Sequence, residues 1–235
     1  MIVLSLAALA VSSAMAANTY YVSTSGSDSA EGSESAPFAS VTKAVAVAVE
    51  GDTIIVDDGT YTAPAASVNG FDIRGITLKS KNGALKTTLK GGGTYRVLTM
   101  NEGACVEGFS ITGGVENNKA TDLAGYGGGV AVRNSTLKNC IVHGNKVTAG
   151  NNLGGGGIVM VSGGLISGCV VSNNIASAKG SKGGGVRTHA GVMENSLIVD
   201  NKSVASGGGV YLKTYATNPA IVRNCTIVKN SVDTK

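Results

Sequence analysis

Beyond residue 100 the apolar positions recur in short alternating bursts rather than in helical stripes. Val130-x-Val132, Ile158-x-Met160, Val186-x-Thr188 and Val210-x-Leu212 each follow a run of three glycines. A second burst follows each of these. The copies read Asn139-Cys140-Ile141-Val142-His143-Gly144-Asn145, Gly168-Cys169-Val170-Val171-Ser172-Asn173-Asn174, Asn195-Ser196-Leu197-Ile198-Val199-Asp200-Asn201 and Asn224-Cys225-Thr226-Ile227-Val228-Lys229-Asn230. A degenerate copy precedes them at Gly108-Phe109-Ser110-Ile111-Thr112-Gly113-Gly114. Alternation with β-branched residues, bounded by Gly and Asn, predicts short strands. Phe109, Cys140, Cys169, Ser196 and Cys225 are spaced by 31, 29, 27 and 29 residues. Several strands per repeat, with no long apolar helical face and no leucine consensus, predict one coil of a parallel β-helix per repeat. Successive coils then stack at the interstrand spacing of about 4.8 Å.

Stacking in register turns the repeat into columns. Val106, Leu137, Ile166, Met193 and Val222 form one apolar column, Phe109, Cys140, Cys169, Ser196 and Cys225 a second, and Ile111, Val142, Val171, Ile198 and Ile227 a third. The four cysteines of the chain are Cys105, Cys140, Cys169 and Cys225. They are too sparse for a disulfide scaffold and lack metal-ligand spacing. Side chains stacked in register point the same way, so free buried thiols are expected rather than a Cys140–Cys169 bridge. Asn145, Asn174, Asn201 and Asn230 form a fourth column at a strand end. A left-handed turn conformation and a ladder of stacked amides are expected there. The glycine triplets are expected to turn tight corners with positive φ.

The first hundred residues read differently. Tyr20–Ser23 is a strand and 25–37 a Ser/Gly/acid loop. Ser40 is a predicted N-cap for a helix over 41–49 with Val41, Ala44, Val45 and Ala48 on its apolar stripe, and Gly51 ends it. Strands follow at 53–56, 76–79, 87–90 and 96–100, with a turn at Asp58-Gly59. A β-helix end exposes apolar side chains and unpaired backbone, and the helix is expected to cover it. No equivalent cap is visible before Lys235, so the expectation is a chain truncated at its C-terminal end.

Composition narrows the class. Of 235 residues, 35 are Gly, 3 Pro and none Trp, and charged residues make up 14%. So few charges exclude a disordered chain, and the glycines keep no three-residue period, which excludes collagen. Net charge is +4 with no basic run, which argues against nucleic acid as a partner. Residues 2–13 are apolar but too short to span a bilayer, and no other run is long enough. Ala14-Met15-Ala16 completes a small-x-small cleavage pattern. The expected organisation is therefore a signal peptide over 1–16, an N-terminal cap and first coil over 17–60, and β-helix coils over 61–235. The expected location is outside the cell or on its surface.

Residues 20–61, Tyr-Val-Ser…Gly-Ser-Asp…Ala-Pro-Phe-Ala-Ser-Val…Gly-Asp-Thr-Ile…Gly-Thr-Tyr, resemble the N-terminal cap of secreted right-handed parallel β-helix proteins of the pectin-lyase-like superfamily. The coils resemble the repeats of that superfamily. They are also similar to those of polymorphic outer-membrane proteins and adhesin-like passengers, which carry Phe where this chain has Val142, Val171, Ile198 and Ile227. The resemblance implies an all-β, right-handed parallel β-helix with a short capping helix. It serves lyases, hydrolases and adhesins alike.

Candidate chemistry is sparse. A polysaccharide lyase uses a base and often Ca²⁺ held by carboxylates; a hydrolase uses two convergent carboxylates. The repeats offer Glu194 and Asp200, separated by a strand, and Asp233 at the end. Asp57 and Asp58 read as a turn, and His143 as a solvated strand end. No metal site or cofactor is evident; Ca²⁺ enters only with the lyase alternative. After the triplets, the outward positions are Ala131 and Arg133, Val159 and Val161, Arg187 and His189, and Tyr211 and Lys213. Register stacks Arg187 beside Tyr211 and His189 beside Lys213, a cationic and aromatic patch suited to an acidic saccharide. The plain alternative is a solvated strand face. The expected function is therefore an exported, adhesin- or passenger-like segment that binds a polysaccharide or cell-surface glycan and carries no complete catalytic set. The first alternative is part of a lyase or hydrolase acting on acidic polysaccharide, and the second a packing module of an envelope assembly.

Overall fold

The computed structural model describes residues 16–117, 126–149, 153–213 and 217–233. Except for residue 16, the expected signal peptide lies outside the described residues. The chain winds as a parallel β-helix of about six turns. An eight-stranded sheet takes its strands in chain order: Thr19–Val22, Thr53–Val56, Thr77–Ser80, Cys105–Glu107, Ser135–Lys138, Gly164–Ser167, Gly191–Glu194 and Ala220–Arg223. A seven-stranded sheet holds the second bursts from Gly59–Thr62 to Thr226–Val228, and a six-stranded sheet the post-triplet strands from Phe71–Arg74 to Val210–Leu212. The predicted strands are present within a residue or two. Two things were not expected. Phe71–Arg74 and Gly59–Thr62 are strands, so the predicted Asp58-Gly59 turn ends at Asp58. A further five-stranded sheet of two-residue strands, Val115–Glu116 to Ser231–Val232, follows the asparagines.

The columns stack as the repeat requires. Leu137 pairs with Val106 and Ile166, Met193 with Ile166 and Val222. Val142 lies between Ile111 and Val171, and Ile198 between Val171 and Ile227. Most of these side chains are fully buried, each contributing roughly 1.5–3 kcal/mol. Phe109, Cys140, Cys169 and Ser196 are buried between them, and the four thiols are free. Burial pushes the Cys140 thiol well above its ordinary value and that of Cys169 up to about 11.

Two corners of the repeating coils share one device: a residue in the left-handed region followed by an inward one, which is buried in all but the last coil. At the first corner Gly108, Asn139, Gly168, Asn195 and Asn224 take positive φ just before the Phe109–Cys225 column. At the second corner the residues are Gly113, Gly144, Asn173, Asp200 and Lys229. This corrects the expectation for Asn145, Asn174, Asn201 and Asn230. Each lies one position after the left-handed residue. The first three are buried, with their amides in a continuous ladder. Asn174 Oδ1 accepts from the Asn145 backbone N–H and Nδ2, both at 3.0 Å, and Asn201 Oδ1 does the same for Asn174. Asn174 Nδ2 also donates to the Val142 carbonyl at 2.9 Å.

The glycine triplets are corrected in the same way. Only the first of each, Gly127, Gly155, Gly183 and Gly207, has positive φ. The third is required by closeness: a Cβ on Gly157 would lie 2.8 Å from Asn174 Nδ2 and from the Gly185 carbonyl. Triplet and ladder are thus two sides of one contact.

The helix spans Val41–Val47, ending at Ala48 rather than Gly51. Ser40 accepts from the Lys43 N–H at 3.0 Å, and its hydroxyl donates to Asp28. Val41 and Ala44 are buried in the core beside Phe38, with Val45 and Ala48 packed against it.

Candidate functional site

The outer face of the six-stranded sheet carries Asp72, Thr99, Ala131, Val159, Arg187 and Tyr211 in one register column. Strand alternation points them away from the core. They are not all solvated. Ala131 and Val159 are fully buried under Tyr126 and Val161, forming a small apolar cluster apart from the main core. Tyr126 comes from the residue just before the first triplet. Its counterparts Gly154, Lys182 and Ser206 are linked to it by successive parallel bridges. This extra ladder lifts Tyr126 and Lys182 over the sheet.

Arg187 is therefore only 4% exposed, while His189 and Tyr211 are half-buried and Lys213 is exposed. Its guanidinium carbon sits 5.0 Å from the Tyr126 ring centre and 5.3 Å from that of Tyr211. The Lys182 ammonium lies 5.0 Å from the Tyr211 ring centre. Cations at ring faces at these distances are attracted by the ring quadrupole. Arg187 Nε donates to His189 Nε2 at 3.0 Å, and the His189 ring meets Tyr126 edge-on at 5.7 Å. An imidazole nitrogen that accepts from arginine carries no proton, so the proton of neutral His189 is on Nδ1. Burial, then the charges of Arg187 and Lys213, lower the His189 pKa to about 4.

Arg187, His189, Tyr211 and Lys213 are thus gathered at one place. Tyr126 and Lys182 were missed. Their signal was available: both stand immediately before a glycine triplet, one position outside the motif. The result is a shelf of three cations, Lys182, Arg187 and Lys213, with two tyrosine rings. It can bind an anion by charge-assisted hydrogen bonds and a sugar ring by stacking.

The acids named from sequence are engaged elsewhere. Glu194 lies on the outer face of the eight-stranded sheet and pairs with Arg223 at 2.6 Å. In the same column Glu107 pairs with Lys138 at 3.2 Å and approaches Lys79 at 3.9 Å. Asp200 is a corner residue, and Asp233 pairs with Lys202. Asp58 accepts from Asn82. His143 hydrogen-bonds with Ser110 at 3.0 Å and is partly buried, not freely solvated. Among the described residues no three His, Cys, Asp or Glu side chains converge to hold a metal ion. No helix among them is long and apolar enough to cross a membrane.

The sequence model of the protein family of unknown function DUF1565 matches residues 24–232. The chain belongs to this family. Curated proteins contain no match to it. Among solved structures it is similar to pectate lyase Pel9A, with 15% identity over 93% of this chain and 78% of that one, and a TM-score of 0.46. A rhamnogalacturonan lyase is similar at 14% identity over 92% and 65%, with a TM-score of 0.38. In DUF1565, as in this chain, a functional assignment has to come from the site itself.

Proposed function

We propose that this DUF1565 protein is an exported, right-handed β-helix that binds acidic polysaccharide on the Tyr126–Arg187–Tyr211 shelf, with its helix covering the N-terminal end of the stack. One observation carries the reading: a nearly buried arginine lies between two tyrosine rings on an outer sheet face, with Lys182 and Lys213 beside it. Burying a guanidinium against rings orients it at low entropic cost, and a carboxylate-bearing sugar is the ligand whose charge and ring faces match. The geometry favours binding over bond cleavage, because the one histidine present already has Nε2 engaged by Arg187.

The test is calorimetric titration of the chain with oligogalacturonate and with its fully methyl-esterified form, alongside ultraviolet detection of unsaturated products. The acid form should bind, weaken with added salt and remain intact; the ester should bind poorly. Lys213→Gln, at an exposed position, should weaken binding about fivefold, the equivalent of about 1 kcal/mol. Equal binding of acid and ester would overturn the reading. Release of unsaturated product would replace it with a lyase.

A further inference from the structure

At the first strand of the six-stranded sheet, Phe71–Arg74, a cavity of about 480 Å³ opens beside the C-terminal end of the helix. Its volume is that of a small-molecule site. Val45, Val49 and Ile76 form its apolar side, and Val49 is 58% exposed, an aliphatic side chain left bare. Glu50, Asp72, Arg74 and Glu102 form its polar side. The frame is fixed. Buried Asp52 accepts from the Asn18 N–H at 2.7 Å and from the Val49 N–H at 2.9 Å, and the Gly51 N–H donates to the Gly75 carbonyl at 2.9 Å. Gly75 has φ +64°, and a Cβ there would lie 3.0 Å from Glu50 Cγ, so the stem of Glu50 rests on the glycine.

The charges are placed but not paired. Asp72 and Arg74 point outward from one strand, two residues apart. Asp72 is oriented by Asn101 Nδ2 at 2.7 Å on one oxygen and by Asn69 Nδ2 at 3.0 Å on the other. Glu102 follows the partner strand Leu98–Asn101 at φ +28°. Among the described residues Arg74 forms an ion pair with none of the three carboxylates. Nor do these acids converge to hold a metal ion. An organic ligand is large enough to reach across them. We propose that the cavity binds an aliphatic α-amino acid: its carboxylate on Arg74, its ammonium among Glu50, Asp72 and Glu102, and its side chain over Val45, Val49 and Ile76. A guanidinium takes a carboxylate bidentately, carboxylates accept charge-assisted bonds from an ammonium, and covering Val49 removes apolar surface from water. Three acids against one arginine repel a polyanion, so this site is separate from the saccharide shelf and stands without it.

Titration of the full chain with L-leucine, followed by amide chemical shifts and calorimetry, tests this. Shifts should gather at Val49, Arg74, Gly75 and Glu102 and leave Arg187 and Tyr211 unmoved. Isoamylamine, which lacks the carboxylate, and isocaproate, which lacks the ammonium, should each bind about tenfold more weakly than leucine. Arg74→Gln should weaken leucine about tenfold and leave isoamylamine no weaker. Glu102→Gln should weaken leucine and isoamylamine alike, about threefold. Both side chains are exposed, so the variants should melt with the wild type by circular dichroism, which separates a lost contact from a lost fold. The two analogues need no variant, so the test stands even where a substitution unfolds the chain. Leucine causing no shifts at its solubility limit, either analogue binding as tightly as leucine, or folded Arg74→Gln binding leucine at wild-type strength would overturn the proposal. None of these results bears on the shelf, which oligogalacturonate tests.

Discussion

Replacing Asn174 with alanine removes one rung from the middle of the amide ladder. The side chain is fully buried and makes four ladder contacts. Without Oδ1, the buried Asn145 N–H loses the acceptor it has at 3.0 Å, an orphaned donor costing about 1–3 kcal/mol. The Val142 carbonyl and Asn201 Oδ1 each lose a donor, at about 0.5–1.5 kcal/mol apiece. Asn201 Oδ1 keeps the Asn174 backbone N–H, which limits the damage. The total is about 2–6 kcal/mol, a drop of roughly 4–24 °C in melting temperature for a chain of this size. The neighbouring Asn173 has the opposite character: φ is +55° and it holds the corner. Asn173→Gly should be neutral or slightly stabilising, and Asn173→Ala should cost about 1–2 kcal/mol. Thermal unfolding followed by circular dichroism compares the variants. Asn174→Ala melting within a degree of wild type, or Asn173→Gly melting as low as Asn174→Ala, would refute the division of labour between corner and ladder.

Four further outcomes follow from the structure. A Cβ at Gly185 would lie 2.8 Å from the Gly209 carbonyl and 2.9 Å from Asn201 Cγ, so Gly185→Ala should cost about 2–3 kcal/mol. Gly103→Ala, in open space at φ +75°, should cost only about 1–2 kcal/mol in denaturant unfolding. In mildly alkaline buffer a thiol reagent should modify Cys225 and, more slowly, Cys105, leaving Cys140 and Cys169 untouched until the chain unfolds. Burial and then the charge of Asp57 raise the Tyr61 pKa from 10.0 to about 12. Its stabilising contribution is therefore complete below pH 10 and is lost as pH rises through about 12. Tyr61→Phe should flatten the fall in stability between those limits.

The columns were legible because in-register stacking keeps the spacing of every inward residue, whatever the loop lengths between repeats. The asparagine corner was misread by one position because backbone strain and side-chain bonding fall on adjacent residues. Asn173-Asn174 presents the same residue type for both jobs, while Gly144-Asn145, Asp200-Asn201 and Lys229-Asn230 show that only the second position must be Asn. Arg187, His189, Tyr211 and Lys213 were placed together by strand alternation alone. The burial of Arg187 was not legible, because its cover, Tyr126, stands outside the repeating strands, one position before the first triplet. The two-residue strands after the asparagines are too short to leave a periodic signal.

The central claim is that the stacked coils present one saccharide-binding face, the shelf of the six-stranded sheet. Amide and side-chain chemical-shift mapping with oligogalacturonate tests it most directly. The account predicts perturbations concentrated at Lys182, Arg187, His189, Tyr211 and Lys213. Perturbations gathered instead on Lys79, Lys138 and Arg223 along the eight-stranded sheet, or none at saturating ligand, would contradict it.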